Sequence, residues 1–240
     1  MAGRFEELRE QLSDDIKGVN RYNPNHIPAL QECITAMLRE DTYDKDILLT
    51  TLKLYQLNPK SYNEGYVQDI LLKTMMVFPR NDYALAKYLI DAKCASSPDL
   101  RKVMDIGALL ESCNFSVFWK LLHGEYVPSN TAEEKFKNPD EIKKLLQPLK
   151  GFEDAIRHYV CSVISATFQT IDASQLKRLL GGISDSECQG YARHYKWEKR
   201  SDGSYFIKNH DATIKSRNVE ERVKFEQCRD VLQLSHQIGN

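Results

Sequence analysis

Asp172-Ala-Ser-Gln-Leu-Lys-Arg-Leu-Leu-Gly-Gly-Ile-Ser-Asp-Ser-Glu187, continued by Trp197-Glu-Lys-Arg-Ser-Asp-Gly-Ser-Tyr-Phe-Ile207, decides how this chain folds. Asp172 stands where it can cap a helix, with Gln175 at the third helical position. Leu176, Leu179 and Leu180 give that helix one apolar face, and Gly181-Gly182 supplies the positive φ that ends it. Ser184 and Glu187 have the spacing of a capping box and open a second helix. The stretch from Trp197 to Ile207, with Asp202-Gly203 in its middle, predicts strand, type I′ turn, strand. Helix, turn, helix and β-wing in this order spell a winged helix.

Upstream, Gly151 precedes a long helix whose apolar face carries Phe152, Ile156, Tyr159, Val160, Val163, Ile164, Phe168 and Ile171. It can serve as the first helix of the winged-helix unit while packing on what comes before. What comes before reads as stacked helices. Phe5, Leu8, Leu12, Ile16 and Val19 form one stripe. Leu48, Leu52 and Tyr55, widened by Ile47, Leu49, Leu54 and Leu57, form a second. Val67, Ile70, Leu71, Met75 and Phe78 make a third, and Leu85, Leu89 and Ala92 a fourth. Leu100, Val103, Ile106 and Leu110 follow, then Phe115, Phe118, Trp119 and Leu122. Pro59, Pro79 and Pro98 lie between stripes as stops. Helices of roughly 12 residues joined by short links repeat in pairs at about 40, the HEAT-like range. The polar run from Val127 to Pro139 breaks the pattern as an exposed loop, with a short helix from Asp140 to Leu146. The expected organisation is mainly α: a HEAT-like repeat domain over 1–147, a winged-helix domain with a small β-hairpin over 148–210, and a linker and C-terminal helix over 211–240. Val219, Val223, Val231 and Leu234 stripe that last helix.

Composition narrows the function. Among 240 residues, 42% are hydrophobic and 28% charged, and the net charge is −1, which gives no global field for nucleic acid or an acidic membrane. No apolar run approaches the ~20 residues that span a bilayer, and the charged start from Met1 to Glu10 lacks the apolar core of a signal peptide. Cys33, Cys94, Cys113, Cys161, Cys188 and Cys228 are far apart, mostly in apolar helical patterns, with no C-x-x-C. Buried free thiols in a reducing compartment fit better than disulfides or zinc. The expected location is the cytoplasm, with the nucleus as a second compartment.

Three kinds of chemistry deserve weighing. The segment 191–217 is locally basic, with Arg193, Lys196, Lys199, Arg200 and Lys208 among aromatic residues, a mix that suits RNA phosphates and bases. The opposing reading is a solvated cationic face whose aromatics anchor the hairpin; Asp185 and Glu187, at the start of the second helix, would repel phosphate. A protein partner is the alternative. A wing leaves an edge strand that another chain can continue; Ser204, Tyr205, Phe206 and Ile207 are the candidate interface there, and Val223, Val231 and Leu234 on the terminal helix. Lys199, Arg200 and Lys208 can equally protect that edge. Catalysis is not indicated. Asp154, His158 and Cys161 share a helix, but Cys161 falls in the apolar stripe, so a buried thiol beside a surface ion pair is the simpler reading. The histidines are scattered, and Gly181-Gly182 is a helix stop without the lysine-bearing phosphate motif. Phe115, Phe118 and Trp119 have core spacing. The expectation is no catalytic residue, cofactor or metal site.

Several stretches together resemble one family. They are Arg21-Tyr-Asn-Pro24, Leu52-Lys-Leu-Tyr-Gln-Leu-Asn-Pro59, Ile70-Leu-Leu-Lys73, Leu109-Leu-Glu-Ser-Cys-Asn-Phe115 with Phe118-Trp119, Gly151-Phe-Glu-Asp154 and Leu180-Gly-Gly-Ile-Ser-Asp-Ser186. Spread in order over nearly the whole chain, they are similar to the subunit k family of eukaryotic translation initiation factor 3. The resemblance implies a PCI-like scaffold, helical repeats before a winged helix, inside the factor that binds the small ribosomal subunit. It also implies other subunits of that factor as partners, subunit l above all, with direct RNA contact left open and no membrane. Two alternatives stay open: a PCI-type scaffold of the proteasome lid or signalosome, and a winged-helix nucleic-acid-binding factor.

Overall fold

A computed structural model describes residues 3–124, 139–210 and 228–229. Helices α1 (Arg4–Leu12), α2 (Ile27–Glu40), α3 (Lys45–Leu57), α4 (Glu64–Met75), α5 (Asp82–Tyr88), α6 (Pro98–Glu111), α7 (Phe115–Leu122) and α8 (Pro139–Leu146) come first. Then follow α9 (Phe152–Thr167), β1 (Thr170–Asp172), α10 (Ala173–Leu179), α11 (Asp185–His194), β2 (Glu198–Lys199) and β3 (Ser204–Phe206). Residues 1–208 form one compact unit; 209–240 fall outside it.

Local chemistry starts these helices. The Asp44 carboxylate accepts the amides of Asp46 at 2.9 Å and Ile47 at 3.3 Å to cap α3, and Asn63 does the same for α4. Pro98 occupies the first turn of α6, where a missing N–H costs nothing. Asp41 turns left-handed (φ 51°) to close α2. Leu30, Met37, Leu48, Leu54, Ile70, Leu71, Val103 and Phe118 lie in the interior of a single apolar core that continues through Ile156, Val160 and Leu176. Two ionic ties cross it. Lys73, itself buried, reaches Asp41 at 2.6 Å. Asp82, also buried, accepts from Tyr43 at 2.7 Å and pairs with Lys45 at 3.1 Å and Arg80 at 3.3 Å.

The structure corrects several expectations. The first stripe is not one helix: α1 ends at Leu12, and Val19 is 86% exposed. The stripe that organises this region is that of α2, with Ile27, Leu30, Ile34 and Met37 buried. On α5 the buried face holds Asp82, Tyr83 and Ala86, while Leu85 is exposed. The ionic tie at Asp82 and the wedging of Tyr83 against Gly107, where a Cβ would lie 2.0 Å from the tyrosine oxygen, set that rotation. Helix α9 stops at Thr167, so Ile171 belongs to β1. Among the cysteines, Cys33, Cys161 and Cys188 are buried, Cys94 is half-buried, and Cys113 and Cys228 are exposed. The stretch 127–138 and, apart from residues 228 and 229, the C-terminal segment expected over 211–240, with Val219, Val223, Val231 and Leu234, lie outside the described residues.

Candidate functional site

The winged-helix unit is built as its caps dictate. The Asp172 side chain accepts from the amides of Ser174 and Gln175 and starts α10. At α11, Ser184 Oγ accepts from the Glu187 amide while the Glu187 carboxylate takes the Ser184 amide at 2.9 Å, a closed capping box. Both Asp172 and Glu187 carboxyls are held below their ordinary range by these hydrogen bonds, led by those from the Ser174 and Ser184 side chains. Three strands form the sheet, all antiparallel, in the order β1-β3-β2, with Ile171 opposite Tyr205 and Lys199 opposite Tyr205 on the other side.

That order overturns the edge-strand argument. β3 is the central strand, paired on both sides, so Ser204, Tyr205 and Phe206 have no free backbone edge, and the Ile207 amide is donated to the Gln169 carbonyl at 2.9 Å. Tyr205 and Ile207 are buried. The strand that displaced the expected edge is β1, which is too short to show period-two alternation. The turn is also different. Gly203 has φ +86°, but Ser201 and Asp202 do not turn left-handed, so the loop is not type I′. The Gly203 amide donates to the Arg200 carbonyl at 3.1 Å and the Arg200 amide to the Ser204 carbonyl at 2.8 Å. This is a type I turn closed by a glycine bulge, the three-residue hairpin loop.

Helix α9 joins the unit to the helices before it. On one side Tyr159 stacks on Phe78 (centroids 5.0 Å apart), meets Phe115 edge-on at 5.5 Å and donates to the Leu110 carbonyl at 3.3 Å. On the other side Asp154 accepts from Tyr191 of α11, and the Tyr195 hydroxyl donates to the His158 carbonyl at 3.1 Å. His158 Nε2 lies 3.6 Å from Asp154, and Cys161 is fully buried, its thiol pushed up to about 12 by desolvation. A thiol with that pKa stays protonated at neutral pH and is no nucleophile.

The closest join is between α7 and α10. The last carbonyls of α10 have no partner within the helix. Trp119 Nε1 donates to the Leu179 carbonyl at 2.8 Å, and Arg157 Nε to the Leu180 carbonyl at 3.1 Å. The Arg157 guanidinium lies 5.1 Å over the Trp119 ring and also pairs with Glu153 at 2.9 Å, so a cation sits at the negative end of α10. Gly181 (φ +90°) lies directly against the indole: a Cβ there would come within 2.7 Å of Trp119. Gly181-Gly182 is thus more than a helix stop. Its first glycine lets the backbone approach Trp119, which the sequence reading assigned only to the core. The signal was the pairing of a glycine at a helix end with a tryptophan far upstream, which no local pattern contains.

The candidate RNA-contact residues Arg193, Lys196, Lys199, Arg200 and Lys208 are all exposed. The interleaved aromatics face inward: Trp197 and Tyr205 are buried, Tyr195 stacks on Trp197 at 5.4 Å, and Phe206 lies under the Arg200 guanidinium at 4.9 Å. Among the described residues no three His, Cys, Asp or Glu side chains gather as metal ligands would, and no helix is long and apolar enough to cross a membrane.

Comparison with known proteins locates this architecture. Residues 61–218 match the CSN8/PSMD8/EIF3K family. The chain is 56% identical over 223 residues to eukaryotic translation initiation factor 3 subunit K of Brugia malayi, covering 92% of this chain and 94% of that one. It is 51% identical to the Caenorhabditis elegans protein of that name, over 95% of each. The human protein of that name is 32% identical over 95% of this chain and 97% of its own length.

Proposed function

The chain belongs to the CSN8/PSMD8/EIF3K family, and we propose that it serves the translation initiation factor 3 complex as a non-catalytic scaffold subunit. Membership of that complex, with other subunits of the factor as partners, follows from relatives that match along nearly their whole length. Subunit l is the neighbour it meets most closely, the assembled factor carries it to the small ribosomal subunit, and it works in the cytoplasm. It contributes shape, with no reaction of its own.

The single observation that supports this role is the join at α9. One helix packs on the repeat side through Tyr159 and on the winged-helix side through Asp154 and His158, while Trp119 and Arg157 cap α10. A rigid connection of this kind fixes the angle at which the two halves present their surfaces. Contact with a neighbouring subunit is then proposed through outward side chains of the wing, since β3 is paired on both sides. The segment bearing Val223, Val231 and Leu234 supplies a second contact. A division of labour between 1–147, 148–210 and 211–240 belongs to the same proposal.

Affinity purification of the full chain from cytosol, with crosslinking mass spectrometry, tests it. Recovery of initiation-factor subunits with crosslinks from Lys199, Lys208 or the stretch 211–240 is the expected result. Recovery of proteasome-lid or signalosome subunits in their place overturns it.

A further inference from the structure

We propose that the repeat helices carry a docking groove for an acidic amphipathic helix of another protein. The helix seats one leucine or phenylalanine in the cavity between the end of α3 and the chain leaving α5. That cavity has a volume of about 280 Å³ and is walled by Leu52, Tyr55, Tyr62, Val67, Leu89 and Ile90. Sites that enclose a cofactor or drug-sized molecule run to roughly 300–1,000 Å³, so this one suits a single anchoring side chain. The groove lies on the repeat helices and involves none of the wing residues assigned to neighbouring subunits.

Helix α5 shows why this apolar surface is left over. Its inner face is Tyr83 and Ala86, both fully buried, with the buried carboxylate of Asp82. Leu85 and Leu89, one turn apart, form a second apolar edge. The fold does not consume it. Leu85 is 43% exposed, Leu89 is half-buried on the cavity wall, and Ala92 beyond them is exposed. Leu57, at the end of α3 beside the wall residue Gln56, is 51% exposed. An exposed apolar edge around a preformed pocket is the arrangement of helix-in-groove recognition, where one anchor fills the pocket and its neighbours cover the edge.

The rim is cationic, and that selects the occupant. Lys53 Nζ donates to the Gln56 side-chain oxygen at 2.8 Å, and Lys93 lines the cavity itself. Lys60 is exposed on the turn Pro59–Ser61, between the wall residues Pro59 and Tyr62. Among the described residues none of these three meets a carboxylate, whereas Lys45, Lys73 and Lys87 of α3, α4 and α5 each do. Asp91 is the one acidic residue of the wall, and its carboxylate accepts the Lys93 amide at 2.8 Å. Carboxylates flanking the anchor match such a rim, and basic residues there are repelled. A second copy of this chain is the poorer occupant, because a two-fold pairing sets the same lysines against each other.

Display of a randomised library of about 16-residue peptides, about four helical turns, against the purified full chain tests the proposal, with fluorescence anisotropy of the selected peptides. Selected sequences should carry net negative charge and a leucine or phenylalanine, with a second apolar residue three or four positions away. Leu57→Glu with Leu85→Glu should weaken the best peptide at least about tenfold. Lys53→Glu with Lys93→Glu should weaken it at least about fivefold and remove its salt dependence between about 50 and about 300 mM KCl. Leu57, Leu85 and Lys93 are exposed and Lys53 is half-buried, so melting curves should stay unchanged. Val19→Asp, at an exposed apolar residue outside the groove, should leave binding as it is. Failure to enrich any peptide, enrichment of basic or uncharged ones, or an equal loss with Val19→Asp overturns the proposal. Sedimentation showing a concentration-dependent dimer that Leu57→Glu with Leu85→Glu abolishes overturns it in favour of a second copy.

Discussion

Gly181→Ala is the most informative single substitution in this chain. Gly181 sits at φ +90°, and an alanine there carries a backbone penalty of about 1–2 kcal/mol. Its Cβ would also come within 2.7–3.0 Å of three atoms of the Trp119 indole. That ring cannot yield freely, because its Nε1 is bonded to the Leu179 carbonyl at 2.8 Å and the Arg157 guanidinium covers its face at 5.1 Å. Displacing it forfeits that hydrogen bond and strains the packing, together about 2–3 kcal/mol, so the total loss should be about 3–5 kcal/mol. Gly182 provides the internal control. It too has positive φ (+73°), yet nothing lies within 4 Å of its would-be Cβ, and Gly182→Ala should cost only the backbone term of about 1–2 kcal/mol. Urea unfolding followed by tryptophan fluorescence measures both. Combining Gly181→Ala with Trp119→Leu should recover part of the loss, because the smaller side chain removes the collision. Equal destabilisation by the two glycine substitutions, or strict additivity with Trp119→Leu, would refute the claim that this contact joins α7 to α10.

Other expectations follow from the same geometry. Ser184→Ala should remove the capping box of α11 at a cost of about 1 kcal/mol and speed hydrogen exchange in its first turn. Burial raises the carboxyl of Asp69 to about 6; the folded state therefore holds its proton more tightly than the unfolded chain, and stability falls as pH rises from about 4 to about 6. Asp69→Asn should flatten that decline and stabilise the protein at neutral pH by up to about 2 kcal/mol, read from urea midpoints across pH. Asp82 behaves oppositely: desolvation acts to raise it, but hydrogen bonds from Tyr43 and Lys45 and the charges of Lys45 and Arg80 prevail and lower it. Its contribution is present above the ordinary carboxylate value and disappears as pH drops through the lowered one, so Asp82→Asn should destabilise at pH 7 and lose its effect in acid.

Local signals carried much of this fold into the sequence. Asp172, Ser184 and Glu187 act as caps where their spacing says they should, because a cap needs only residues within three positions of one another. The stripes of α3, α4 and α6 are legible for a similar reason: most of their residues are buried, though Leu57 at the end of α3 is 51% exposed and Phe78 lies beyond the end of α4. What was not legible depends on partners distant in the chain. The rotation of α5 is set by Tyr43, Lys45 and Gly107, so the sequence of α5 alone favours the wrong face. α2 went unremarked although Ile27, Leu30, Ile34 and Met37 have helical spacing and Pro28 sits in its first turn; that signal was available. β1 was not available, since a three-residue strand is defined only by the Phe206, Tyr205 and Ser204 that it meets.

The same distinction governs the candidate sites. Position in the chain made Ser204 to Ile207 look like an edge, because a hairpin read alone has two edges. The third strand reverses that inference: it buries the residues chosen for a partner and moves the free backbone groups to β1 and β2. β1 ends in Asp172, whose carboxylate is committed to α10, and β2 is two residues long. Short, capped edges are poor templates for strand addition. What remains outward on the wing is charge, and charge acts at a distance, without the close backbone register that an added strand demands. The wing of this chain is therefore better suited to contacts that tolerate small shifts of position. Precise geometry is supplied by α9, Trp119 and Gly181, which hold the wing to the helices behind it.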